Sequence, residues 1–104
     1  MSKIVEYIQK QKALDKYDIG RVTCADGFTV YCHAGWFYYC TPRVAFAEWD
    51  TIELATPSEV LPDHFTMYAE NEENLLETFY SYVPVSLVDA LLELHGGIAN
   101  GQEG

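Results

Sequence analysis

Three short turn signals, Ala25-Asp26-Gly27, His33-Ala34-Gly35 and Thr41-Pro42-Arg43, recur at eight-residue intervals in a stretch rich in β-branched and aromatic residues. That spacing leaves room for strands of about five residues joined by three-residue loops, and predicts an antiparallel meander. Its strands fall near 20–24, 28–32, 36–40 and 44–48. If Cys24 opposes Phe28, Cys32 opposes Trp36 and Cys40 opposes Val44, one face carries Val22, Cys24, Phe28, Val30, Cys32, Trp36, Tyr38, Cys40, Val44 and Phe46. Thr23, Thr29, Tyr31, Phe37, Tyr39 and Ala45 take the other face. Slipping any loop by one residue mixes the two sets. Gly27 and Gly35 close their loops where a left-handed residue is needed, and the third turn lacks such a glycine.

The flanking segments read as follows. Ile4, Val5, Ile8 and Leu14 recur at helical spacing, so a helix is expected over 3–17, with Ser2 as its cap and Gly20 closing it. Residues 49–55 alternate apolar and acidic side chains and predict a further strand or an extended continuation. Thr56-Pro57-Ser58-Glu59 has the form of a capping box with proline at the first helical position, which predicts a short helix ending before Pro62. Residues 63–69 fit neither period. Asn71-Glu72-Glu73-Asn74 predicts a helix start, with Leu75, Leu76, Phe79 and Tyr80 along the helix. After Pro84 comes a last helix over 85–95, carrying Val85, Val88, Leu91, Leu92 and His95 and stopped by Gly96-Gly97. The tail from Ala99 is small and polar and is expected to fray. A chain of 104 residues, 49% of them hydrophobic, can bury one core. The expected fold is a single α+β domain over 1–104: an N-terminal helix, a four- to five-stranded antiparallel meander, and C-terminal helices packed on its apolar face.

Cys24, Cys32 and Cys40 are odd in number and form no CxxC pair, which argues against a disulfide framework and a zinc knuckle. The meander accounts for their spacing, each thiol closing a strand on the buried face. The candidate metal ligands are Cys32-His33, His64 with Asp63, and His95; neighbours on a strand point to opposite faces, so Cys32 and His33 do not share an ion. His95 is expected to interact with the dipole at the end of its helix. No cofactor and no metal are expected. A buried thiol in an acidic chain makes a poor nucleophile, and there is no phosphate loop, GxSxG elbow or HExxH helix.

The chain has 6 Lys and Arg against 16 Asp and Glu, a net charge of -10 that speaks against direct nucleic-acid binding. The charge is segregated. All six cations (Lys3, Lys10, Lys12, Lys16, Arg21, Arg43) lie in the first 43 positions against Glu6, Asp15, Asp18 and Asp26, a balance of +2, and the remaining 61 positions hold twelve acids and no Lys or Arg. Solubility does not require a cation-free stretch of that length. Carboxylates without local counter-charge repel one another, and a cationic partner relieves that repulsion. The residues expected to meet it are Glu48, Asp50, Glu53, Glu59, Asp63, Glu70, Glu72, Glu73 and Glu77, with Trp49, Tyr68, Tyr80 and Tyr82 as aromatic anchors. The N-terminus turns charged before any apolar run of signal length, and no stretch has the roughly 20 apolar residues of a membrane span, so a soluble, cytoplasmic chain is expected.

In length, in the cation-free stretch from Val44 to Gly104 and in its lack of catalytic motifs, the chain resembles the small acidic anti-defence proteins that phages encode, such as anti-CRISPR proteins and other DNA mimics. The resemblance implies a non-catalytic inhibitor. It would act in a bacterial host by occupying the positively charged surface of a nucleic-acid-handling protein, such as a CRISPR effector. Immunity proteins that neutralise basic nuclease toxins share this character and are the first rival. The second is a homodimeric interaction subunit, associating through Tyr31, Phe37 and Tyr39 on the second sheet face. The third is a small hydrolase or thiol enzyme using Cys32 or His64.

Overall fold

The computed structural model describes residues 2–14 and 21–99. In chain order the elements are α1 (Lys3–Ala13), β1 (Arg21–Thr23), β2 (Thr29–His33), β3 (Thr51–Ala55), a 3-10 helix (Asp63–Tyr68), β4 (Phe79–Pro84) and α2 (Val85–Leu94). The strands form one antiparallel sheet in the order β1-β2-β3-β4, so the sheet is a meander. The fold is α+β, with α1 and a single C-terminal helix packed on the sheet.

Ser2 has extended backbone angles and its Oγ accepts a hydrogen bond from the Val5 amide at 3.4 Å, satisfying one of the free donors at the start of α1. Ile4, Val5, Tyr7, Ile8 and Gln11 form its buried stripe. The helix ends at Ala13 with Leu14 as cap; the rest of the expected helix and the closing Gly20 lie outside the described residues.

The first hairpin has the expected register. Val22 pairs with Val30 and Thr23 with Thr29, the Cys24 amide donates to Phe28 O at 2.8 Å, and Gly27 is left-handed at φ +96°. Beyond it the eight-residue repeat does not continue as strands. Residues 36–40 and 44–48 belong to an irregular loop, and β2 pairs instead with β3, Cys32 opposite Leu54 and His33 opposite Glu53. Two features keep the loop out of the ladder. The Cys40 thiol accepts from the Gly35 amide (3.3 Å) and donates to Gly35 O (3.2 Å), closing a tight turn, and Pro42 lacks the N–H that a ladder needs. The β2 edge goes to the 51–55 segment, whose Ile52 and Leu54 are fully buried.

Two expected helices are replaced. In the capping-box segment Thr56 has φ 43°, which a helix cap cannot adopt, and its hydroxyl and carbonyl accept from the Arg21 guanidinium. Ser58 extends the edge of β2, its amide donating to Thr29 O at 2.8 Å and its hydroxyl accepting from the Thr29 amide at 2.9 Å. In the second case Asn71 Oδ1 accepts from the Glu73 amide, making a local turn rather than a helix cap. Phe79 and Tyr80 then enter β4, which pairs with β3 through Leu54 and Tyr80, and Ile52 and Val83, across a bulge where Tyr82 has φ 54°. The unassigned 63–69 region contains the 3-10 helix, with Phe65 buried.

Helix α2 stops as expected: the Gly96 and Gly97 amides bond to Glu93 O (3.0 Å) and Leu92 O (2.9 Å), both glycines with positive φ. The chain then returns along β1, where Ile98 bridges to Cys24 and the Ala99 amide donates to Thr23 O at 2.7 Å. Ala99 is therefore paired rather than frayed, and residues 100–104 lie outside the described residues. The core gathers Ile4 and Ile8 of α1, Val22, Val30, Ile52, Leu54 and Val83 of the sheet, and Val88 of α2, all without solvent exposure. Each contributes roughly 1.5–3 kcal/mol through burial. Asp89 Oδ1 ties the helices together by accepting from the Ile4 amide at 2.8 Å.

Candidate interaction surface

The cation-free segment sorts into two groups of carboxylates. Glu59, Asp63, Glu70, Glu72, Glu73 and Glu77 are exposed on the connection between β3 and β4, while Glu48 and Asp50 are exposed just before β3, at its other end. Five residues of β3 place roughly 17 Å between the two ends. Among the described residues no Lys or Arg side chain lies within 4 Å of any of these eight carboxylates. Their contacts are with neutral or titratable groups: Ser81 Oγ donates to Glu70 at 2.7 Å, Asn74 Nδ2 donates to Glu77 at 2.7 Å, and His95 Nε2 lies 3.7 Å from Glu59.

Three of the cations lie over aromatic rings. Lys12 lies over the Trp49 ring at 5.9 Å, Arg21 over Tyr31 at 4.8 Å and Arg43 over Tyr39 at 5.4 Å. Lys3 reaches Glu93 at 3.9 Å, but both side chains are solvated and the pair adds little. Three cations thus lie over aromatic rings, and no described Lys or Arg side chain pairs with the eight carboxylates.

Three residues expected on that surface are not on it. Glu53 is 5% exposed: it lies on the sheet face opposite the core, where the 34–50 loop folds over it and the Tyr39 amide donates to Glu53 Oε1 at 3.2 Å. Burial raises its carboxyl above the usual range, opposed by that hydrogen bond and by Arg43. Trp49 is 2% exposed, with the exposed Phe46 tilted against its ring at 6.2 Å, and its Nε1 has no hydrogen-bond partner among the described residues. Tyr80 is buried on the core face of β4, its hydroxyl donating to Leu75 O at 2.7 Å, and burial raises its phenol. Of the expected anchors, Tyr68 is half-buried and Tyr82 exposed.

In place of the buried anchors the loop exposes Trp36 (65%), Phe37 (82%) and Phe46, although Trp36 and Phe46 were expected inside. The run Trp36-Phe37-Tyr38-Tyr39 already carried a sign of this, since four consecutive aromatics cannot all face one core. On the same sheet face as Glu53, Tyr31 and His33 stack in sequence with Tyr38 of the loop, with centroids 5.4 and 4.6 Å apart, beside a shallow groove of about 450 Å³ that Ala55, Thr56 and Phe79 complete.

The three thiols are buried and free. Burial and then the Asp26 charge push the Cys24 thiol up to about 11, and burial raises Cys32 and Cys40 as well; Cys24 and Cys32 pack as small hydrophobes, while Cys40 closes its turn through the bonds to Gly35. Exposed His64 rests against the Phe65 ring. Among the described residues no three His, Cys, Asp or Glu side chains converge as a metal site, and no helix is long and apolar enough to cross a membrane. Comparison with family models, with curated proteins and with solved structures finds no match for the chain.

Proposed function

We propose that this chain is a non-catalytic inhibitor that binds a positively charged, nucleic-acid-handling protein, in the manner of an anti-CRISPR protein acting on a CRISPR effector. The observation that carries this reading is the eight exposed carboxylates with no Lys or Arg side chain within 4 Å among the described residues, in a molecule whose Lys12, Arg21 and Arg43 lie over rings. Uncompensated carboxylates project a negative field that attracts a basic groove and orients the encounter. Bound there, the chain keeps nucleic acid out by occupying the site; no bond is made or broken.

The test is capture on the immobilised chain from bacterial host lysates, eluting with rising salt and identifying the eluate by mass spectrometry. A basic nucleic-acid-binding protein is expected, and charge reversal of Glu70, Glu72, Glu73 and Glu77 should abolish its retention. Recovery of a nuclease toxin would favour the immunity-protein reading. Retention that ignores both salt and charge reversal would sink the electrostatic reading altogether.

A further inference from the structure

The 34–50 loop turns two aromatic pairs outward. Trp36 and Phe37 have ring centroids 5.7 Å apart, and Tyr39 and Tyr82, each nearly half exposed, are 5.8 Å apart. Arg43 joins the pairs, its guanidinium over the Tyr39 ring and its Nη2 donating to Trp36 O at 3.3 Å. The Tyr39–Tyr82 pair is fixed by the Tyr82 amide donating to Tyr39 O at 3.1 Å. The Glu70 carboxylate lies beside it, held at 2.7 Å by the hydroxyl of Ser81, the neighbour of Tyr82.

We infer that this patch anchors the partner, and that its occupant is an arginine-bearing segment of the cationic protein proposed above, a reading on which this inference rests. Large exposed aromatics around a shared centre, with charge at the rim, have the anatomy of an interface hot spot. Arg43 already lies over Tyr39, so the rings open to an incoming guanidinium are the more exposed Trp36 and Phe37. Glu70, beside the pair, and the net charge of -10 supply the complementary charge that draws the segment in. A second copy of the chain fits less well, because each would bring a net charge of -10 to the contact.

The test is titration calorimetry of the full chain with a deca-arginine peptide. Wild type binds, and the double change Trp36→Ala, Phe37→Ala weakens binding about tenfold with its circular dichroism and melting unchanged. Phe37→Ser, at the most exposed ring, shows a smaller loss in the same direction if the double variant does not fold. Reversal of Glu72 and Glu73, in the turn before β4, weakens binding at low salt but leaves the residual binding at about 0.5 M NaCl that the ring variant lacks. If the ring variants bind like wild type while acid reversal abolishes binding, the acidic-surface reading stands and the aromatic anchor is overturned. No binding by wild type at low salt overturns both. A dimer in sedimentation that the ring variant dissociates assigns the patch to a second copy and overturns the choice of occupant.

Discussion

His95 Nδ1 lies 2.7 Å from Asp26 Oδ2, a bond across 69 positions of sequence that fastens the end of α2 to the first hairpin loop. The imidazole stacks on Phe28 at 4.0 Å, nearly parallel, and turns its other nitrogen toward Glu59, so three separate segments meet on one side chain. The Phe28 amide, and then His95, hold the Asp26 carboxyl below the usual carboxylate range.

A depressed carboxylate stabilises the fold above its unfolded pKa and loses that contribution as pH falls through its folded value. Asp26→Asn should therefore destabilise the protein at pH 6 and matter less in acid. Urea midpoints of both proteins at pH 6 and about pH 3 check this. Parallel pH profiles would show that the bond contributes nothing to folding.

Glu53 has the opposite sign. Its raised carboxyl binds a proton more readily in the folded state, so its contribution falls as pH rises from the ordinary carboxylate range through the folded value. Glu53→Gln keeps an acceptor for the Tyr39 amide and does not titrate. Its stability relative to wild type should increase between about pH 4 and pH 7, as measured by thermal melting.

Gly96 and Gly27 separate two costs. At Gly27 a Cβ meets nothing within 4 Å, so Gly27→Ala costs only the positive φ, about 1–2 kcal/mol. At Gly96 the φ is +91° and a Cβ would lie 2.9 Å from that of Ala25. Gly96→Ala should exceed Gly27→Ala by about 1–3 kcal/mol, the range of overpacking. Denaturant unfolding of the pair decides the matter, and equal losses would rule out the steric term.

The two tryptophans should behave as opposites. Trp36→Ala changes stability by no more than about 0.5 kcal/mol, whereas Trp49→Ala costs about 3–5 kcal/mol. Trp49→Phe should be close to neutral: it empties roughly 40 Å³, worth ~1 kcal/mol, and removes a buried donor whose lack of a partner costs about 1–3 kcal/mol. Acrylamide should quench Trp36 and spare Trp49. Equal quenching of both would refute the assignment of inner and outer rings.

Local chemistry made part of this fold readable. Ser2 capping α1, the Ala25-Asp26-Gly27 hairpin with its register, and the Gly96-Gly97 stop each depend on a few neighbouring residues whose backbone needs are specific. The segregation of charge is a property of the chain itself, and the acids at 48, 50, 59, 63, 70, 72, 73 and 77 are all exposed. Tertiary structure decided which apolar segments became strands. Residues 36–40, 44–48 and 51–55 all offer patterns that can pair with β2, and that edge accepts one partner. The segment that buries Ile52 and Leu54 took it, and the displaced aromatics closed into a loop around Cys40. The same competition replaced a helix at 71–80, because pairing Tyr80 and Val83 with β3 completes the core, while a local helix there would leave the β3 edge open. It also exchanged the roles of Trp36 and Trp49, since which ring is buried depends on where the loop closes, a contact between residues far apart in the chain.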